Sequence, residues 1–468
     1  MKQTKNALSM LLNAYRAIFK SAYFKGMASA VILTAGLAAG AANAEELWSG
    51  GTWPAAGTEM QASGGEIKIE ASLAASGGTV IFNNASGSLV VASSGSNAVN
   101  LSGDGSLIFQ LASGDGGFKV SVADNSGAAT VDLKNIEIQA GQIAEISNSS
   151  NQSTSGALVS ADTFKITGED AKLTISATAS GSATLGQSGG VGANDAGDDI
   201  TVSDGAKVIL SSTASGAATI AGSTLTLDGG VIESSGSTSE KNQITTSHVV
   251  MKDGSVIKTD GSGSTLTINL ASDTTTFSVA KENDELNQLF SMNGGYIKVA
   301  SGDTLNVDGQ TNFNQVGGTI ELGGDLVISA TSGNPSLTIS TDDGLQAVHA
   351  DAEVTVGSSG ALTITSQALQ NFLEDDDYSR DKTTLIDGEN SGEVTDTTGH
   401  LKLSGGALNF STDVDLNDFE FSGSTANGTI QIASASSINA DGKKLTMADE
   451  LVTAGSAKVT ISATCLAP

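Results

Sequence analysis

Residues with the chemistry for catalysis or ion binding are few in this chain, and they lie far apart. The densest group is Glu374-Asp375-Asp376-Asp377-Tyr378 followed by Arg380, the only arginine after Arg16. Clustered acids that could hold Ca2+ beside a basic side chain are what a polysaccharide lyase requires. Consecutive residues on an exposed segment rarely converge on one ligand, so this run reads as a solvated helix end and turn. A glycoside hydrolase needs two carboxylates a few ångströms apart. Asp198-Asp199 and Asp342-Asp343 are neighbours in sequence, and neighbours on a strand point to opposite faces. A nucleophilic triad needs a histidine beside a serine and an acid, and only His248, His349 and His400 are present. His248 reads as an outward residue within a strand, and the other two fall at strand ends or turns, so all three read as surface polar residues. Cys465 has no second cysteine to pair with. The histidines are dispersed and no EF-hand loop occurs, so no metal set is expected. The G-G-x-G-x-D nonapeptide of calcium β-rolls does not recur in tandem either. Sugar-stacking platforms are limited to Trp48, Trp53, Tyr296 and Tyr378. The two tryptophans bracket Ser49 to Thr52, and they read as a cap over the open end of a core. The expectation is therefore no catalytic, cofactor-binding or metal-binding residues, and no cofactor.

The composition supports that reading. The 468 residues include 57 Gly but only 3 Pro and 4 % aromatics, and acids outnumber bases 51 to 22. A formal charge of −29 excludes the basic footprint of a nucleic-acid binder, and one cysteine excludes an intrachain disulfide scaffold. With 39 % hydrophobic residues the chain is not simply disordered.

The first 44 residues differ from the rest. They carry Lys2, Lys5, Arg16, Lys20 and Lys25 and no acid. An uncharged apolar run follows from Met27 to Ala42, closing on Ala42-Asn43-Ala44. A positive n-region, an apolar h-region and an A-x-A site describe a secretory signal peptide, here an extended one, cleaved between Ala44 and Glu45. The apolar run is shorter than the roughly 20 residues that span a bilayer. The mature chain then keeps 17 basic residues against 51 acids, a net charge near −34, and is not expected to span a membrane.

The elements that must carry whatever this protein displays are strands. From Glu45 onward, short runs such as Thr79–Phe82, Phe118–Val122, Lys172–Ile175, Lys207–Leu210, Thr224–Leu227 and Thr265–Ile268 alternate aliphatic with polar residues. That period of two marks half-buried strands. Turn pairs punctuate them: Asp204-Gly205, Asp228-Gly229, Asp253-Gly254, Asp308-Gly309 and Asp441-Gly442. A membrane barrel would need aromatic girdles, and tandem sandwiches would need linkers and aromatic cores. A parallel β-solenoid needs neither. Gly294–Val299 echoes Gly317–Leu322 at an offset of 23 residues, with weaker echoes at Gly229–Glu233, Asp253–Ile257 and Gly405–Phe410. A period of roughly 20–25 residues predicts about 17–21 coils over residues 45–468. Stacked at about 4.8 Å per coil, they make a rod on the order of 80–100 Å long. The coil is expected to be right-handed, because parallel crossovers are. Two segments break the pattern. Lys281 to Met292 and Ser366 to Asp377 space Leu286, Leu289 and Phe290, and Leu369, Phe372 and Leu373, as short amphipathic helices; both read as covering core or filling an insertion. Gly186 to Asp199 reads as a loop.

The leader, the long Ser/Thr/Gly/Asn-rich β-run and Gly-Gly-Thr-Ile-Glu-Leu-Gly-Gly-Asp-Leu at 317–326 together resemble an autotransporter passenger or related β-helical adhesin of Gram-negative bacteria. The resemblance implies a right-handed parallel β-helix over 45–468. It also implies secretion or display at the cell surface, with export through an outer-membrane translocator that this chain does not contain. It implies a non-catalytic, adhesin-like role toward host or bacterial surface glycans or proteins. The alternatives are a β-helical polysaccharide lyase or hydrolase and a passive spacer like a surface layer.

Overall fold

A computed structural model describes residues 49–62, 65–83, 87–93, 97–110, 117–123, 127–187, 198–213, 215–236, 242–260, 265–270, 289–300, 303–309, 311–330, 333–348, 352–365, 368–373, 400–410, 414–416, 420–422, 429–434, 436–440, 445–447 and 459–463. The leader, with Ala42, Ala44 and Glu45, lies outside them, as do Trp48, His349, Tyr378, Arg380, Asp441-Gly442 and Cys465. The described residues belong to one compact unit.

Alternation decides the architecture. In Ser88–Ser93, Gly117–Val122 and Lys172–Ala177 every second side chain is buried. A strand with one buried face needs a neighbour in register, because a slip of one residue would turn its apolar set outward. The chain meets this need by returning to the same place with each turn. Among the described residues, 33 of 35 strands belong to one sheet, every ladder in that sheet is parallel, and Val414–Leu416 pairs with Leu445–Met447 in a second sheet.

The strands sort into three columns that the chain visits in order. The first column begins Glu66–Ile69, Ser88–Ser93, Gly117–Val122 and runs through eleven rungs to Leu345–Ala347. The second begins at Leu73–Ala75 and runs through thirteen rungs to Thr429–Ser434. The third begins Glu59–Gln61, Thr79–Phe82 and runs through fifteen rungs to Val459–Ala463. At about 4.8 Å per rung the third column is about 67 Å long.

Fifteen rungs is fewer than the repeat predicts, because successive coils differ in length. Ile297 pairs with Ile320, the 23-residue offset visible in the sequence. Glu66 to Ser88 is 22 residues, but Leu173 to Val208 is 35 and Ile257 to Ile297 is 40. The columns hold their register while the bends absorb the extra residues.

Inward side chains stack on their own kind from rung to rung. Phe82 stacks on Phe109 at 4.6 Å between ring centroids, and Phe290 on Phe313 at 4.2 Å. Each fully buried Leu, Ile, Val or Phe contributes roughly 1.5–3 kcal/mol from removal of apolar surface, and one contiguous core runs from Trp53 to Ala440. Trp53 is buried and donates its indole N–H to the Gly78 carbonyl at 2.9 Å. Glycine is required at the bend beside it. Gly103 has φ of 136°, and a Cβ on Gly105 would lie 2.5 Å from the indole nitrogen.

One sequence expectation needs correction. Leu289 to Met292 is not helical: it opens the strand Leu289–Val299 and pairs with His248–Met251 on one side and with 312–315 on the other. Phe290 and Met292 alternate inward, a period of two that the shorter 3–4 spacing masked; Lys281 to Gln288 lies outside the described residues. Asp308-Gly309 ends the strand Thr304–Gly309, pairing with Asn269 and Leu270, and opens a turn in which the Thr311 amide donates to the Asp308 carbonyl at 3.4 Å. Asp204-Gly205 also turns the chain, with φ of 56° and 83°. The second helix does form, as α1 (Ala368–Leu373), with Ala368, Leu369, Phe372 and Leu373 buried. It follows the strand Ala361–Ile364 and packs against Leu345–Ala347, where the next rung of the first column would lie.

Candidate functional site

In a parallel, in-register stack each outward side chain meets its counterpart one rung away, so the faces are ladders of like positions. On the first column these ladders are charged. Lys119 pairs with Glu145 at 2.9 Å, Lys207 with Glu233 at 2.6 Å, Lys258 with the same Glu233 at 3.5 Å, and Lys298 with Glu321 at 3.9 Å. Lys298 also sits 5.3 Å from the centre of the Tyr296 ring. On the second column Lys402 reaches Glu353 at 3.3 Å, and the Thr355 hydroxyl donates to the same carboxylate at 2.7 Å. These ladders are internally neutralised, and the half-exposed pairs contribute at most about 1 kcal/mol each.

The third column is different. Across five successive rungs its outward positions are Asn312 and Asn314, Ser336 and Thr338, Ala361 and Thr363, Ala407 and Asn409, and Ser437 and Asn439. None is charged. The registers run rung to rung without a shift. Several of these groups hold one another: the Ser336 hydroxyl donates to Asn312 Oδ1 at 2.7 Å, and Asn409 Nδ2 donates to Thr363 Oγ1 at 3.3 Å. Asn439 Nδ2 donates to Asn409 Oδ1 at 2.7 Å. Asp342 and Asp343 stand exposed at the bend beyond Ser336–Ile339.

At the bends, polar side chains are buried instead. Asp198 is 6 % exposed and accepts from the Ser160 hydroxyl at 3.0 Å and from the amides of Ala161 and Gln187 at 3.1 and 2.9 Å. Burial pushes its pKa up to about 7, against the opposing pull of those three donors, and the nearby Asp132 adds to the rise. With both carboxylate oxygens accepting from the chain's own groups, Asp198 ties one coil to the next. Gln315 acts alike at another bend, donating to the Gly318 carbonyl and Thr341 hydroxyl and accepting from the Ser340 amide. Asn148 donates to the carbonyls of Ser155 and Ser182 in successive coils.

The structure separates the residues that chemistry would need together. Asp198, just before the strand Asp199–Ser203, is buried while Asp199 is exposed, and Asp342 and Asp343 both face solvent. His248 projects outward from Asn242–Met251, and His400 opens the strand His400–Ser404, half-buried. Glu374 to Arg380 lies outside the described residues. Among the described residues no group of three or more His, Cys, Asp or Glu could hold a metal ion, and no helix is long and apolar enough to cross a membrane. Sequence reasoning missed two features, the corner carboxyl of Asp198 and the uncharged face of the third column. The second was open to view as the absence of Lys, Glu and Asp at one parity of five strands, but only the register shows that those strands are stacked. Compared with known proteins, the chain matches no family model, no curated protein and no solved structure.

Proposed function

We propose that this chain is an exported, non-catalytic structural protein of the cell surface or its surroundings, adhesin-like in role and passenger-like in build. Its stack would be a right-handed parallel β-helix released from its leader between Ala44 and Glu45. The observation that carries this reading is the continuous fifteen-rung parallel column with polar ladders on its outer face. Such a column offers many equivalent, weak hydrogen-bonding positions at fixed spacing. Multiplicity then supplies avidity that no single pocket has to provide. The partners this implies are surface glycans or proteins, with no nucleic acid.

Two measurements test it together. Amino-terminal sequencing of the protein recovered from outside the cell should begin at Glu45. Protease added to intact cells should remove the chain without lysis. Recovery from the cytoplasm with Met1 intact would overturn the reading. Incubation of the protein with acidic and neutral polysaccharides should release no reducing ends or unsaturated products; their release would instead favour a β-helical lyase or hydrolase.

A further inference from the structure

We propose that the uncharged face of the third column, from Asn312 to Asn439, is a binding site for a neutral polysaccharide laid along the column. This deepens the display reading above and rests on it. Three observations point to this face. It is a charge-free strip on a mature chain whose net charge is near −34, whereas the first and second columns at the same levels carry Lys298, Glu321, Glu353 and Lys402. A polyanion presenting a neutral strip, with Asp342 and Asp343 exposed at its edge, repels acidic polymers and leaves uncharged ones unpenalised. Second, its groups are amides and hydroxyls, which both donate and accept, as the hydroxyls of a sugar chain do. Among the described residues this face carries no aromatic or arginine anchor of the kind that dominates protein–protein interfaces. Third, the contacts between Asn312 and Ser336, Thr363 and Asn409, and Asn409 and Asn439 hold the side chains in place beforehand. Little rotamer freedom is then lost on binding. The rung repeat of about 4.8 Å is comparable with the advance per sugar of an extended glycan. Successive sugars can therefore meet successive rungs, each weakly, and the affinity is their sum.

The test is native affinity electrophoresis of the chain from Glu45 onward, in gels containing a β-1,4-glucan, a mannan or an α-glucan, each in neutral and carboxymethylated form. At least one neutral polymer should retard the protein, and its carboxymethylated form should not. A triple variant, Asn314→Asp, Thr363→Asp and Asn439→Asp, should weaken that retardation about tenfold or more. A control with three added acids on the other columns, Thr130→Asp, Thr174→Asp and Thr219→Asp, should not. Circular dichroism and thermal unfolding confirm that both variants are folded; if the triple variant does not fold, Asn314→Ala with Asn439→Ala replaces it, with weaker retardation again expected. Retardation by a neutral polymer that survives the face variants overturns this site but leaves the display reading intact. No retardation by any neutral polymer, or equal retardation by the carboxymethylated forms, overturns the ligand class. A dimer in sedimentation that the face variants abolish would assign the strip to a second copy of the chain instead. Cleavage of the polymer would overturn the display reading itself.

Discussion

Asp198 shows how a single buried group sets a response of the fold to pH. Its carboxyl titrates near 7 in the folded chain, against about 3.9 when unfolded. Between those values the folded state holds a proton that the unfolded state has released. Stability is therefore greatest at the acid end of this window and falls as pH rises toward 7. The full difference is on the order of 4 kcal/mol. The urea midpoint should fall from pH 5 to pH 8, and Asp198→Asn, which stays neutral and keeps an acceptor for the amides of Ala161 or Gln187, should flatten that slope. An unchanged slope in the variant would show that Asp198 does not titrate in this range. Sequence alone assigned Asp198 only to a loop and an unconvincing pair. Its burial depends on Ser160 and Ala161, almost forty residues away, and no local pattern reports such a partner. The Trp53 corner makes a second residue-scale prediction. Gly105→Ala should lower the melting temperature, since the added methyl meets the indole ring and Ala75. A variant as stable as the parent would mean that the bend relaxes freely.

At the scale of elements, α1 (Ala368–Leu373) lies against the last rung of the first column, placing Phe372 and Leu369 over core that would otherwise face solvent. Phe372→Ala should cost about 3–5 kcal/mol, as for other buried aromatics, read from chemical unfolding. A loss below about 1 kcal/mol would show that the helix rests on the column without sealing it. The charged ladders should matter far less. In a double-mutant cycle, Lys119→Ala and Glu145→Ala should couple by about 0.2–1 kcal/mol, because both side chains are well exposed. This helix was legible from Leu369, Phe372 and Leu373, yet the same spacing misread Leu289 and Phe290. Three apolar residues cannot separate the two periods, and pairing with 248–251 and 312–315 settles the second case as a strand.

For the molecule as a whole, like charge opposes compaction. Raising NaCl from about 10 mM to about 0.5 M shortens the Debye length from about 30 Å to below 8 Å. It should therefore raise the melting temperature, since the repulsion it screens exceeds the contribution of a few exposed ion pairs. A falling melting temperature would mean that the Lys–Glu ladders outweigh that repulsion. The parallel all-β plan was readable because short alternating strands recur with so few aromatics, and because Gly294–Val299 and Gly317–Leu322 repeat in the register the structure uses. The number of rungs was not, because bends of unequal length hide the repeat over most of the chain.

The place taken by α1 has a mechanical consequence. Below it, successive levels are joined by three parallel ladders. Across it, among the described residues, the load passes through two, Glu353–Gly357 to His400–Ser404 and Ala361–Ile364 to Ala407–Phe410. When the chain is pulled along its axis, the part from this level onward, held among the described residues by two ladders or fewer, yields before the rungs that precede it.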